Sequence, residues 1–306
     1  MMSRFIIRLL SFLLPVLLMG FLSELALRKI PNDYSYKKDY LDKNSGNIKL
    51  LFLGNSHSYY DLDPQYFSVP AFSAAYISQS LFFDYRILTK YDGRWDRLET
   101  IVVTATYAGL FNNLESSVEA WRTKNYIIYY GFLSSNKVKD YFEIFSNNYE
   151  FNKLRLKSYY LDNVSPVTCS ELGWGTEYKS AIKNDLIDAG NVAATRHSAN
   201  ADVAHFSINK LVINDMIKFA ADRNINVVLL TTPAYHAYTD NINKHQMQLT
   251  ISMLEEMDAI NENVIYVNSL NDKDFIENDF YDADHLNEIG AKKLSLKLDS
   301  IINNWK

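Results

Sequence analysis

Ile48-Lys49-Leu50-Leu51-Phe52-Leu53-Gly54-Asn55-Ser56-His57 is the stretch from which the rest of the chain can be read. Its apolar run is short, unbroken and closed by glycine, the pattern of a strand buried on both faces. Gly54 relieves crowding where the backbone turns sharply off the strand. A serine just past such a strand presents its hydroxyl at the sheet's edge, which makes Ser56 a candidate nucleophile. A serine alone is inert: it needs a base within hydrogen-bond reach, and the base needs an orienting group.

Working outward, runs of the same kind occur at 100–104 (TIVVT), 226–231 (NVVLLT) and 264–267 (VIYV). The last two follow helical patterns at 207–223 and 244–261, and 286–305 is a further amphipathic helix. Strand and helix in alternation mean parallel strands with crossover helices. The expected fold is α/β, a three-layer α/β/α sandwich with a parallel sheet, whose site lies at the carboxyl ends of the strands. The middle, 107–205, is rich in Tyr, Asn and Phe, with mixed helical patterning at 121–132 and 137–145. It is expected to be an insertion that caps the site. The expected division is an anchor helix at 1–30, a polar stalk at 31–47 and a body at 48–306 carrying the 107–205 insertion.

With 306 residues, 48% hydrophobic and 22% charged, the chain can build a core. A formal net charge of -5 argues against a nucleic-acid binder, which needs a basic footprint. Cys169, the one cysteine, allows no internal disulfide and no Cys-rich zinc site, and no activating motif surrounds it. Residues 5–27 are strongly apolar, interrupted by Arg8, Ser11, Ser23 and Glu24. The charge-free stretch 9–23 is short for a bilayer core, which takes about 20 residues, but the flanks bring it to spanning length. Cleavage at Ala26 or Ser23 would put Glu24 or Phe21 at the −3 position, so an uncleaved signal anchor is expected. The body is then expected outside the cytoplasm, on the periplasmic or extracellular side. Arg4 and Arg8 face Arg28 and Lys29 across the segment, so the charge rule does not settle orientation.

Near the C-terminus stands Asp282-Ala283-Asp284-His285-Leu286-Asn287-Glu288-Ile289-Gly290. Asp282, three residues before His285, can reach the ring nitrogen that faces away from Ser56. Asp284 is expected instead to cap the last helix. Taken together, Gly-Asn-Ser-His at 54–57 and Asp-x-x-His-x-Asn-x-x-Gly at 282–290 resemble the first and fifth blocks of the SGNH (GDSL-like) hydrolase and acyltransferase family. The Gly-Asn-Ser-His variant is similar to membrane-anchored bacterial polysaccharide O-acetyltransferase-like branches. The resemblance implies Ser56 as nucleophile, Asp282 as acid and His285 as base. It covers the two ends of the body and the strand order, not the middle. The family's two middle blocks supply a glycine amide and an asparagine side chain to the oxyanion hole. The matching stretches, Phe72-Ser73-Ala74-Ala75 and Thr104-Ala105-Thr106-Tyr107, carry neither. The Ser56 amide, backbone amides near Ala75, and the hydroxyls of Ser73 and Thr106 are the remaining oxyanion candidates.

His236 and Tyr238, just past the strand at 226–231, are candidate substrate contacts. His57 is a third, although beside the nucleophile it is expected to point away from it. Arg196, His197 and His205 reach the site if the insertion folds over it. Trp174, between Gly173 and Gly175, either stacks on a sugar or anchors a loop. No His-x-x-x-His or nucleotide loop is present, and carboxylates do not cluster around histidine pairs in sequence, so neither metal nor cofactor is expected. The expected chemistry is ester hydrolysis or acyl (acetyl) transfer through an acyl-Ser56, on a cell-envelope or exported polysaccharide or a small ester. A transferase on that side of the membrane needs a membrane-bound acyl-donor partner. The rival readings are a non-catalytic envelope scaffold or polysaccharide-binding protein, and a plain lipase-like esterase.

Overall fold

The computed structural model describes residues 2–182, 184–199 and 202–305. In chain order its elements are α1 (Met2–Lys29), α2 (Asp33–Asn44), β1 (Leu50–Leu53), α3 (Ser56–Asp61), β2 (Ala71–Ser73), α4 (Leu81–Lys90), β3 (Thr100–Thr104) and α5 (Tyr107–Leu110). There follow α6 (Thr123–Asn125), α7 (Glu143–Ser146), α8 (Tyr149–Tyr160), α9 (Leu186–Ala199) and α10 (Val203–Ala221). The chain closes with β4 (Asn226–Thr231), α11 (His236–Thr239), α12 (Lys244–Ile260), β5 (Val264–Asn268) and α13 (Glu288–Trp305). The chain divides into two units, Met1–Lys38 with Trp121–Val167, and Asp39–Ala120 with Thr168–Lys306.

The second unit holds a five-stranded sheet in the order β2-β1-β3-β4-β5. Every neighbouring pair is parallel. Parallel pairing needs crossover connections, and the helices that supply them cover both faces. That is why Leu51, Phe52, Leu53, Ile101, Val102, Val103 and the run from Val227 to Leu230 are fully buried. Alternate side chains, Leu50, Phe52, Val102, Val228 and Leu230, share one core with Leu294, Leu298 and Ile302 of α13. Helices α4, α10 and α12 bring Ile87, Leu88, Met216, Leu254 and Met257 into burial. The chain leaves β1 for β2 on one side, then returns past β1 to β3 on the other. Such a reversal opens a crevice at the carboxyl ends of the strands, here between the turns after β1 and β3. The sequence carries no signal for β2, whose three residues are too few for a pattern.

Residues 31–47 do not form a stalk. Most of the stretch is α2, in which Tyr40 stacks on Phe72 with ring centroids 4.0 Å apart and Leu41 is fully buried. The Tyr and Lys residues that read as polar bury ring and aliphatic surface. The expected insertion at 107–205 is not one block either: 121–167 belongs to the first unit, and 107–120 and 168–205 to the second.

In the first unit, α1 exposes its apolar side chains from Phe5 to Leu22 and then buries Glu24 and Leu27, with Ile30 buried just past its end. It is long and apolar enough to cross a membrane. Glu143, at the start of α7, is buried with Lys124 at 3.0 Å, Arg155 at 2.7 Å and the Tyr129 hydroxyl at 2.8 Å.

Candidate active site

Gly54 ends β1 with φ +126, and a Cβ there would meet Thr104 Oγ1 at 2.0 Å, so only glycine fits the turn. Its N–H donates to the buried Asp84 Oδ1 at 2.7 Å. Burial pushes the Asp84 carboxyl up to about 7, against the hydrogen bonds from Gln79 and Gly54. Asn55 caps α3 by accepting the His57 N–H at 3.1 Å, and Ser56 opens the helix. At that first position the helix itself makes no use of the backbone N–H.

His285 Nε2 lies 2.8 Å from Ser56 Oγ, and its Nδ1 lies 3.0 Å from Asp282 Oδ1. The same Oδ1 accepts the N–H of His285 at 2.8 Å and of Asp284 at 3.2 Å. Asp282 thus folds the turn with its own side chain, and that turn is what the three-residue spacing encodes. In the neutral ring, with Nδ1–H donated to Asp282, the Nε2 lone pair faces the serine hydroxyl. Burial pushes Asp282 up, but the His285 charge and hydrogen bonds outweigh it and hold the carboxyl at about 2. Burial pushes His285 down, but Asp282 and then Asp284 outweigh it and raise the ring to about 10. The next residue, Leu286, donates its N–H to Asp61 Oδ1 of α3 at 2.9 Å, tying the histidine loop to the helix that Ser56 opens.

Asp284 does not cap the last helix. Asn287 does, accepting the N–H groups of Ile289 and Gly290 at 2.9 and 3.1 Å. Asp284 is buried instead, Oδ1 3.6 Å from His285 Nδ1, Oδ2 3.8 Å from His57 Nε2 and 4.0 Å from His197 Nδ1. Burial raises it to about 6, with the His285 charge opposing and Asp282 adding. His57 points into the site, not away from it: its ring stacks on His285 at 4.5 Å and its Nδ1 lies 3.1 Å from Asn55 Oδ1. Burial, then the charges of His285 and His197, push His57 well below the usual histidine range. Burial, then Arg196 and His285, push His197 down to about 3. The structure therefore gathers what the sequence separates: His57, Asp284 and His285 offer ligand atoms within 4.8 Å of one another, a set able to hold a metal ion. Both nitrogens of His285 are, however, engaged by Asp282 and Ser56.

A cavity of about 600 Å³ opens over Ser56. Its walls include Asn55, His57, the turn from Ile77 to Ser80, Asn112, Asn113, Ser116, Ser117, Tyr178, Arg196, His197 and His205. The two parts of 107–205 that belong to the second unit thus supply much of the wall, and Arg196, His197 and His205 do reach the site. His285 is buttressed by Tyr178, edge-on at 5.4 Å and sandwiched between Tyr60 at 3.6 Å and Tyr281 at 3.8 Å. His236 is not among the lining residues; it is 62% exposed beside Asp240. Tyr238 is buried behind the wall, its hydroxyl 2.9 Å from His197 Nδ1. Trp174 anchors its loop, donating Nε1–H to the Tyr60 carbonyl at 2.7 Å.

Of the oxyanion candidates, only Ser56 lines the cavity. Ser73 and Ala75 are fully buried, and the amides of Ser73, Ala74 and Tyr76 donate to the carbonyls of Leu172, Phe52 and Gly54. Thr106 Oγ1 is occupied by Asn55 Nδ2 at 3.0 Å and the Gly109 N–H at 3.1 Å. The loop after β2 meets the cavity a few residues further on, at Ser78, which holds φ 58. A serine seldom holds positive φ, as Asn163 and Asn224 also do elsewhere in the chain. Positive φ at a serine leaves no mark in sequence, whereas Asn55, directly before Ser56, was open to recognition.

No protein-family description and no curated protein sequence matches the chain. Among solved structures it is similar to a candidate acylhydrolase from Bacteroides fragilis NCTC 9343, at 11% identity and a TM-score of 0.42. It is also similar to a GDSL-like lipase from Bacteroides thetaiotaomicron VPI-5482, at 10% identity and a TM-score of 0.43. Each likeness covers 89% of this chain and 98% of the other.

Proposed function

We propose that this protein is a serine-dependent esterase or O-acyltransferase. The reading rests on one observation: a histidine whose Nε2 lies 2.8 Å from a serine hydroxyl while its Nδ1 lies 3.0 Å from a carboxylate. Ser56 Oγ attacks the ester carbonyl as His285 Nε2 takes its proton. The proton then passes to the leaving alcohol, and an acyl-Ser56 remains. Water or a sugar hydroxyl gives its proton to the same nitrogen and attacks the acyl carbon; the acyl–Oγ bond breaks, and the nitrogen returns the proton to Ser56 Oγ. Asp282 orients the ring and stabilises its charge. The Ser56 N–H, at the start of α3, is the oxyanion donor this reading relies on.

A sugar as acceptor or substrate is supported by the cavity wall, where Asn112, Asn113, Ser116, Ser117 and Gln79 offer amides and hydroxyls. Together with α1 as an anchor, this favours a cell-envelope or exported polysaccharide over a lipid. A transferase working there would take its acyl group from a membrane-bound donor protein. The loss of Ser73, Ala75 and Thr106 as oxyanion donors favours a second reading, a non-catalytic polysaccharide-binding protein.

Ser56→Ala separates the two. With the full chain in detergent, a fluorophosphonate should add one mass label to the wild type and none to the variant. Hydrolysis of p-nitrophenyl acetate should disappear with it. A folded wild type that neither labels nor turns over would sink the enzyme reading in favour of the binding protein.

A further inference from the structure

The first unit carries a feature that the chemistry above does not use. At 1.5 Å per residue, the exposed apolar length of α1 from Phe5 to Leu22 spans about 26 Å, close to the roughly 30 Å of a hydrocarbon core. If α1 is a membrane anchor, the bilayer surface falls at the level of residues 22–28. At that level α1 is gripped by its own unit. Glu24 is buried and accepts the N–H groups of Glu143 and Ile144 at 3.1 and 2.9 Å. Arg28 donates to Glu24 at 2.5 Å and to the Tyr141 carbonyl at 2.6 Å. The Tyr160 hydroxyl donates to the Ala26 carbonyl at 2.9 Å. The one acidic group near the end of the apolar helix is thereby satisfied by backbone donors, as burial beside lipid demands.

These bonds hold α7 and α8 beside the end of the span. Around them large apolar side chains stand in the open: Val138 is 72% exposed, Phe145 63%, Phe151 50%, Leu154 57% and Leu161 73%. Single exposed apolar side chains are ordinary, but five large ones between 138 and 161 are many for so short a segment. Exposed Lys137 and Lys139 are interspersed, able to reach headgroups while their stems lie on the apolar layer, and Lys153 and Lys157 lie 3.7 and 3.8 Å from the exposed acids Glu150 and Asp162. The segment that carries these side chains is bonded directly to the end of α1, which points to one occupant, the bilayer that α1 would enter.

We propose that the α7–α8 face of the first unit lies in the headgroup and upper acyl region of the same bilayer that α1 spans, so that the protein is attached by a helix and a surface together. The inference rests on the anchor reading of α1. The test uses the full chain with Cys169→Ser as background, reconstituted in phosphatidylcholine–phosphatidylglycerol nanodiscs. Single cysteines at Phe145 and Leu161 are spin-labelled, with Leu14→Cys in α1 and Lys90→Cys on α4 as references, and folding is checked by circular dichroism. Power saturation reports access to oxygen, which favours lipid, against a nickel chelate, which favours water. Labels at 145 and 161 should match the label at 14 in favouring oxygen, reversed from the label at 90. If 145 and 161 behave like 90 while 14 favours oxygen, the surface proposal fails and the anchor stands. A label at 14 that favours nickel overturns the anchor and the proposal with it. Labels at 145 and 161 shielded from both reagents mean a protein covers the face, which also overturns the proposal.

Discussion

At the residue scale, the site turns on one ring between two acids. Asp282 makes the hydrogen bond to His285, while Asp284, 3.6 Å from the same nitrogen, adds charge without a bond to it. Together they raise His285 to about 10. In the proposed mechanism His285 must be neutral to accept the Ser56 proton, so activity should rise with pH as His285 loses its proton. Asp284→Asn removes one negative neighbour, which makes the imidazolium easier to deprotonate. The rising limb of the pH–rate profile with p-nitrophenyl acetate should therefore move to lower pH in Asp284→Asn. A limb that stays in place would show that Asp284 does not act on His285 through its charge. The spacing of Asp282 to His285 was legible because the carboxylate shapes its own turn. The position of Asp284 was not: which way an adjacent side chain faces depends on His57 and His197, which come from distant parts of the chain.

At the scale of elements, the β1–α3 junction is built around the absence of a side chain. Gly54 holds φ +126, and the nearest atom to an added Cβ is Thr104 Oγ1 of the neighbouring strand, 2.0 Å away. Gly54→Ala has to bear the backbone strain and push β3 away from β1. It should destabilise the protein by about 1–3 kcal/mol, seen as an earlier midpoint in denaturant. Turnover should fall as well, since Ser56 lies two residues on. Equal stability of variant and parent would mean that the turn relaxes freely. Gly290 has the same relation to the loop before it, its Cβ position lying 2.3 Å from the Asp279 carbonyl oxygen. The glycine and asparagine that completed the C-terminal motif are therefore architectural: Asn287 caps α13, and Gly290 lets that helix start against its own preceding loop.

At the scale of the whole molecule, the two units rely on different forces. The second is an apolar sandwich. In the first, the buried Glu143 gathers Lys124, Arg155 and Tyr129. Burial alone would raise the Glu143 carboxyl, but the two cations outweigh it and its range is lowered. Removing one partner of such a buried set leaves charge uncompensated, at a cost of about 3–5 kcal/mol. Glu143→Ala should lower the thermal midpoint of the full chain in detergent, whereas Glu150→Ala, at an exposed position on α8, should leave it nearly unchanged. Similar midpoints in the two variants would show that the Glu143 set contributes little to holding the unit together.

The sequence by itself determined the parallel sheet, the apolar N-terminal helix and the turn that joins Asp282 to His285, while the pairing of that turn with Ser56 came from the resemblance of the two motifs to a known family. The first three are written locally, as an unbroken apolar run, a charge-free stretch or a turn folded by its own side chain. Only the tertiary structure decided the rest. It split 107–205 between two units, turned the polar 31–47 into a packed helix, and carried Arg196, His197 and His205 to the cavity wall. It also left His236 exposed and buried the expected oxyanion donors Ser73 and Ala75. Those outcomes depend on which surfaces meet across long separations in the chain, and residue pattern over a short window holds no record of its distant partners.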